Sequence, residues 1–155
     1  MDESTSKAKA GGERPSPSGS REARKVVLVA DDQLNVRNIL EFNLKRRGFE
    51  VQVVHDGPSV LSTASAAPPD LVLLDIMMPG LDGFQVLERL RANPETSGIP
   101  ILVVSARGSE TDILRALQLG ARDYIVKPFN LDVLFEKIQR ALEGYAAVAG
   151  EADSV

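Results

Sequence analysis

Four groups of polar residues stand where apolar runs stop. Lys25 to Ala30 (Lys-Val-Val-Leu-Val-Ala) ends in Asp31 and Asp32, and Leu71 to Leu74 ends in Asp75. Ile101 to Val104 is followed by Ser105, and Asp123 to Val126 by Lys127 and Pro128. Carboxylates brought together by a fold repel one another, and burial makes their charges costlier. A hard divalent cation relieves this, because carboxylates, a backbone carbonyl and water are magnesium-type ligands, whereas soft metals take Cys or His. A hydroxyl and an ammonium facing such a cluster gain a task once one carboxylate carries a phosphoryl group. The cation then offsets charge, and Lys127 and Ser105 hold the phosphoryl oxygens. Asp75 is the nucleophile in that scheme, since phosphorylation of a carboxylate is an established covalent mode.

Each residue also has a plainer role open to it. Asp31 and Asp32 could cap the first helix, Ser105 could form a turn, and Lys127 could be a solvated loop lysine. Asp75 could cap a local turn, and Tyr124 could simply pack its ring and wet its hydroxyl.

The elements that must position these groups alternate along the chain. Lys25 to Ala30 is a first buried strand, and Asn35 to Arg47 a helix with Val36, Ile39, Leu40 and Leu44 on one face and Gly48 as its stop. Phe49 to Val54 is a second strand. Asp56-Gly57-Pro58 turns into a short helix that ends before Pro68 and Pro69. Leu71 to Leu74 lacks polar alternation, as a strand covered on both faces does. Pro79 and Gly80 then force a turn, and Asp82 and Gly83 open a third helix to about Arg91. A fourth strand at Ile101 to Val104 precedes a helix from Glu110 to Leu119, and a fifth at Asp123 to Val126 precedes an amphipathic helix from Asn130 to about Glu143.

Five strands each followed by a helix predict an α/β fold: a five-stranded parallel sheet with helices on both faces. Right-handed crossovers favour the flavodoxin-like order 2-1-3-4-5. That order sets strands one and three side by side and brings Asp31, Asp32 and Asp75 to the edge where open α/β sheets collect ligands.

Composition bounds the rest. The 155 residues, 43% hydrophobic, suit one domain with a sizeable core. A net charge of −4 with 5% aromatics, and no basic stripe, gives no footprint for direct nucleic-acid binding. The chain has no cysteine, which excludes disulfides and thiolate chemistry, and its single His55 is expected in a solvated loop. No apolar run reaches membrane-spanning length, so no membrane insertion and a cytoplasmic location are expected. Residues 1–23 hold little more apolar than alanine and are expected to form a disordered tail, with the domain at 24–144 and a second tail at 145–155.

Taken together, these residues make the chain resemble the receiver domain of two-component response regulators, the CheY-like superfamily. The resemblance covers about Arg24 to Gly144. It rests on the Asp31-Asp32 pair, Asp75 within Asp-Ile-Met-Met-Pro-Gly-Leu-Asp-Gly, Ser105-Ala106, Tyr124, and Lys127-Pro128-Phe129. It implies a phosphoaspartate switch charged by a histidine kinase or a histidine phosphotransfer protein. Such a switch is not an enzyme beyond magnesium-dependent self-phosphorylation from small donors and autodephosphorylation. Asp75 is then the phosphoacceptor, and Asp32 with the Met77 backbone carbonyl binds Mg2+, with Mn2+ able to substitute. Asp31 acts as a second ligand or in the metal's outer shell. Ser105 stands where the family has Thr or Ser, Tyr124 matches the aromatic that turns inward on activation, and the Lys127-Pro128 bond is expected to be cis.

The resemblance further implies that helix four, strand five and helix five form a face for homodimerisation or partner binding. Here that face carries Glu110, Asp112, Arg115, Arg122, Asp123, Lys137 and Arg140. These could pair across a dimer or stay solvated, solvation being the default for a single surface charge. Too few residues follow the last helix for an output domain, so a single-domain regulator or a fragment of a larger one is expected. A haloacid-dehalogenase-type phosphatase is disfavoured because Asp31-Asp32 is not Asp-x-Asp, and a dinucleotide site because glycines are missing after the first strand. A receiver-like interaction module that is never phosphorylated would be favoured by loss of the acceptor or the lysine, and both are present.

Overall fold

The computed structural model describes residues 24–144, so both expected tails lie outside the described residues. Five strands alternate with five helices: β1 Val26–Ala30, α1 Leu34–Arg46, β2 Glu50–Val54, α2 Gly57–Ala66 and β3 Leu71–Leu74. They continue as α3 Gly83–Ala92, β4 Ile101–Ser105, α4 Glu110–Gln118, β5 Asp123–Val126 and α5 Leu131–Leu142. All neighbouring strands are parallel, and their order is β2-β1-β3-β4-β5, the predicted flavodoxin-like arrangement.

The side-chain period of a strand divides the core in two. Leu28, Ala30, Val72, Leu74, Ile101 and Val103 pack with α2, α3 and α4 through residues such as Val60, Phe84 and Ala116. Val27, Val29, Leu71, Leu73, Leu102 and Val104 pack with α1 and α5 through Leu40, Leu44, Leu134 and Ile138. Each such Val, Leu, Ile or Phe side chain contributes about 1.5–3 kcal/mol on burial. The inner strands β1, β3 and β4 are buried at every position, which is why they read as unbroken apolar runs, whereas the edge strand β2 is only partly covered.

Local chemistry sets the loops at the carboxyl edge. Ala30 pairs with Leu74 in register, and the Asp75 N–H donates to the Ala30 carbonyl at 2.9 Å, so the residues after β1 and β3 leave the sheet side by side. Asp82 and Gln85 form a capping box that starts α3 soon after Asp75. Asp56 caps α2, its carboxylate accepting from the Ser59 N–H at 2.8 Å, with Pro58 in the first turn.

Two points that the sequence leaves open can be taken further. The N-cap of α1 is Gln33, with no side-chain cap bond, so neither Asp31 nor Asp32 caps that helix. Several charges of the face built by α4, β5 and α5 also have partners within the chain. Lys137 Nζ lies 2.7 Å from Asp123 Oδ2, and Arg122 Nη1 donates to the Ala141 carbonyl at 3.1 Å. The Arg115 guanidinium lies 4.1 Å from the Phe84 ring centre. Short strands and neighbouring helices put these partners within reach, which sequence spacing alone does not reveal. His55 is exposed, as expected. Among the described residues, no helix is long and apolar enough to cross a membrane.

Candidate functional site

The site lies where β1, β3, β4 and β5 end. Asp75 is buried, and each of its oxygens has a donor: Oδ1 accepts from the Met77 N–H at 2.9 Å, and Oδ2 from Lys127 Nζ at 3.0 Å. The first of these bonds closes a tight turn over the loop after β3. Asp31 is also buried, and its Oδ1 accepts from the Gln33 N–H at 2.9 Å. Asp31 Oδ2 lies 2.8 Å from Lys127 Nζ but out of line for a hydrogen bond, which leaves that buried oxygen without an aligned donor. Burial pushes the Asp31 carboxyl above the usual carboxylate range, Asp75 adds to the rise, and Lys127 with the Gln33 N–H opposes it.

Lys127 gathers the acids. Its side chain is only 10% exposed, which removes the reading of a solvated loop lysine, and Nζ also donates to Gln33 Oε1 at 2.8 Å. Burial works against its charge, but the Asp31 and Asp75 carboxylates outweigh burial and raise its pKa. Its own N–H donates to the Ser105 carbonyl at 2.9 Å, and the Lys127-Pro128 bond is cis, as expected.

Ser105 is fully buried at the end of β4, and its Oγ accepts from the Arg107 N–H at 3.2 Å. The turn-forming role open to it on sequence is therefore real in this arrangement. Tyr124, on β5, is buried, and its hydroxyl donates to the Arg107 carbonyl. The tyrosine is thus inward, packed with the core that includes Phe84. Met77 is half exposed at the rim and joins the site through its N–H.

Asp32 is exposed, yet Asp31, Asp32 and Asp75 each offer an oxygen, and these atoms lie within 4.8 Å of one another. The donor set is oxygen only, and one buried carboxylate oxygen has no aligned donor, so the cluster fits a hard divalent cation. The sequence argument missed Gln33, the second acceptor for Lys127, and named Asp112 only as a charge of the α4 face, not as the partner that holds Arg107 through an ion pair of 2.9 Å. Proximity to the Asp31-Asp32 pair was the only signal for Gln33. Nothing local marks the pairing of Asp112 with Arg107.

Solved structures share this architecture. A Chloroflexus aurantiacus protein described as a response regulator is 31% identical, with a TM-score of 0.74 over 77% of this chain and 98% of its own. The chemotaxis response regulator CheY4 of Vibrio cholerae is 29% identical, with a TM-score of 0.72 over 77% and 99%. A receiver domain of a signal transduction histidine kinase from Syntrophus aciditrophicus is 28% identical, with a TM-score of 0.72 over 77% and 91%. The sequence profile of the response regulator receiver domain matches residues 27–139, which takes in β1 from its second residue, the other four strands whole and the whole acidic site. With that match and those neighbours joined to the acid cluster at the edge of a 2-1-3-4-5 sheet, the chain belongs to the response regulator receiver domain family.

Proposed function

We propose that the domain is a phosphoaspartate switch of a two-component system, with Asp75 as the acceptor. The observation that carries this reading is the placement of Asp75: buried at the end of β3, ion-paired to Lys127 and within reach of Asp31 and Asp32. An Asp75 oxygen attacks the phosphorus of a phosphohistidine on a histidine kinase or histidine phosphotransfer protein. The P–N bond breaks as the P–O bond forms, and the imidazole leaves, taking up a proton. Asp31, Asp32, Asp75 and the Met77 carbonyl would hold Mg2+ or Mn2+, which when bound supplies charge neutralisation for the transferring group.

Lys127 and Ser105 account for the remaining phosphoryl oxygens. Lys127 already contacts Asp75, so its ammonium can transfer to a phosphoryl oxygen without crossing the site. Ser105 Oγ would exchange its contact with the Arg107 N–H for one to the phosphoryl group. Tyr124, tied to the Arg107 carbonyl, would carry that change to the face built by α4, β5 and α5, where a partner or a second copy would bind. Taking such a switch from 1:99 to 99:1 needs about 5.5 kcal/mol of differential contact, within reach of a few charge-assisted hydrogen bonds and a cation.

The test is the intact mass of the protein after incubation with Mg2+ and acetyl phosphate. A gain of one phosphoryl group, lost in Asp75→Asn and without the cation, is the expected result. Equal uptake by the folded Asp75→Asn protein would overturn the assignment.

A further inference from the structure

Arg107 meets the switch through three separate groups. Its N–H donates to Ser105 Oγ, and its carbonyl accepts from the Tyr124 hydroxyl. Its guanidinium forks onto Asp112, with Nη2 2.9 Å from Oδ1 and Nε 3.3 Å from Oδ2. The same guanidinium lies 5.7 Å from the ring centre of the buried Phe84 at the start of α3. A single residue therefore touches β4, β5, α3 and α4.

The fork also has a local cost that marks it as more than a chance surface contact. Asp112 is the third residue of α4, and Ser109 caps that helix by accepting the Asp112 N–H at 3.1 Å. An acid at this position ordinarily completes the box by reaching back to the cap residue's N–H. Gln85 does so in α3, where its side chain accepts from the Asp82 N–H at 3.2 Å. Both Asp112 oxygens go to Arg107 instead. Exposed ion pairs are generally weak, and a two-bond arginine fork is the geometry in which they hold.

We propose that Arg107 is a positioning residue of the switch. Its fork onto Asp112 fixes the loop between β4 and α4 so that its peptide groups hold Ser105 Oγ and the Tyr124 hydroxyl, favouring the inward tyrosine before phosphorylation. The orientation of the Arg107 carbonyl depends on the peptide plane it shares with Gly108, a residue that restrains it little. The side-chain fork supplies that restraint. The link from this bias to signalling rests on the phosphoaspartate reading, but the bias itself is a property of the unphosphorylated protein.

The test follows Tyr124 without any phosphodonor. The full chain, which has two tyrosines, is labelled with 3-fluorotyrosine, and Tyr124→Phe assigns the fluorine resonances. Arg107→Gln and Asp112→Asn should each move the Tyr124 signal in the same direction, reflecting a roughly two- to fivefold fall in the inward-to-outward ratio, the scale of an exposed pair. Asp112→Asn should add nothing in an Arg107→Gln background, because the pair is already broken. Lost packing alone would instead give additive shifts, and additive shifts or an unmoved signal would overturn the proposal. Phosphoryl uptake from acetyl phosphate is measured alongside. An Arg107-dependent signal with equal uptake by the folded Asp75→Asn protein would overturn the phosphoacceptor reading and support the clamp, whereas Asp75-dependent uptake with an unmoved signal would overturn the clamp alone.

Discussion

Lys127 Nζ stands 3.0 Å from Asp75 Oδ2, a contact made across 52 residues of chain. It joins the last strand to the central one, and the same ammonium lies 2.8 Å from Asp31 Oδ2 at the end of β1. One cation thus offsets two buried acids whose mutual repulsion would otherwise oppose folding. A cluster so poorly matched for stability is what the proposed phosphoacceptor role requires.

Lys127→Met tests that balance. The substitution leaves two buried carboxylates without their counter-charge, and breaking a buried pair from one side costs on the order of 3 kcal/mol. Urea unfolding in chelator should show that loss, and saturating Mg2+ should recover most of it, since a ligand at 100 times its Kd adds about 2.7 kcal/mol. Stability that Mg2+ leaves unchanged in both the parent and the variant would mean that the cation does not bind at the cluster.

Gly83→Ala should reverse the usual sign of that exchange. In an ordinary helix, alanine gains about 1 kcal/mol over glycine. At Gly83 the added methyl would lie 2.4 Å from Ile76 Cα and 3.0 Å from the Asp75 carbonyl oxygen, both backbone atoms that cannot swing aside. A loss of about 2 kcal/mol by thermal unfolding is expected, the scale of overpacking, together with slower phosphoryl uptake as the loop after Asp75 shifts. A stabilised variant with unchanged uptake would show that the first turn of α3 is not packed against the site loop.

Much of this was legible in sequence because a doubly covered sheet writes itself plainly. The inner strands Val26–Ala30, Leu71–Leu74 and Ile101–Ser105 carry no polar alternation, so the polar residues ending them stand out, and one topology brings them together. Helix ends were legible to within a residue or so: α1 runs Leu34–Arg46 against an expected Asn35 to Arg47. Partner choice was not legible. Gln33 on Lys127, Asp112 on Arg107 and Lys137 on Asp123 are side-chain meetings fixed by packing angles, and the identity of a surface charge does not encode which neighbour it will find.

The cap of α2 gives a pH dependence that is independent of the acidic site. The Ser59 N–H bonded to Asp56 holds that carboxyl below the usual carboxylate range, with His55 adding a smaller pull. A depressed folded-state pKa contributes stability that is present above the ordinary carboxylate value of about 3.9 and lost as pH falls through the folded value. Asp56→Asn keeps a good capping residue but cannot titrate. Its stability should therefore fall less than that of the parent protein between pH 5 and 2, roughly the range over which such a group protonates. Parallel pH profiles from urea titrations would rule the cap out as a source of acid sensitivity.

Arg91 separates stability from signalling. Its guanidinium donates to the Gly120 carbonyl through Nε and Nη2 at 3.3 and 2.8 Å, and through Nη1 to Ser97 and Ile99 at 2.7 and 3.0 Å. Burial, reinforced by Arg122, presses its pKa down, so the charge is held at a cost that the carbonyls offset. The residue ties α3 to the loops before β4 and β5, at the opposite edge of the sheet from Asp75. Arg91→Met keeps most of the side-chain volume and removes the donors, leaving three carbonyls to find water or go unpaired. Charged hydrogen bonds of this kind contribute about 1.5–3 kcal/mol each, although neighbouring losses do not add fully. A total loss of about 3 kcal/mol in urea is expected, with phosphoryl uptake unchanged at temperatures where the variant stays folded. A fall in uptake by the folded variant would show that this edge communicates with the site, and would require a coupling route that the contacts described above do not provide.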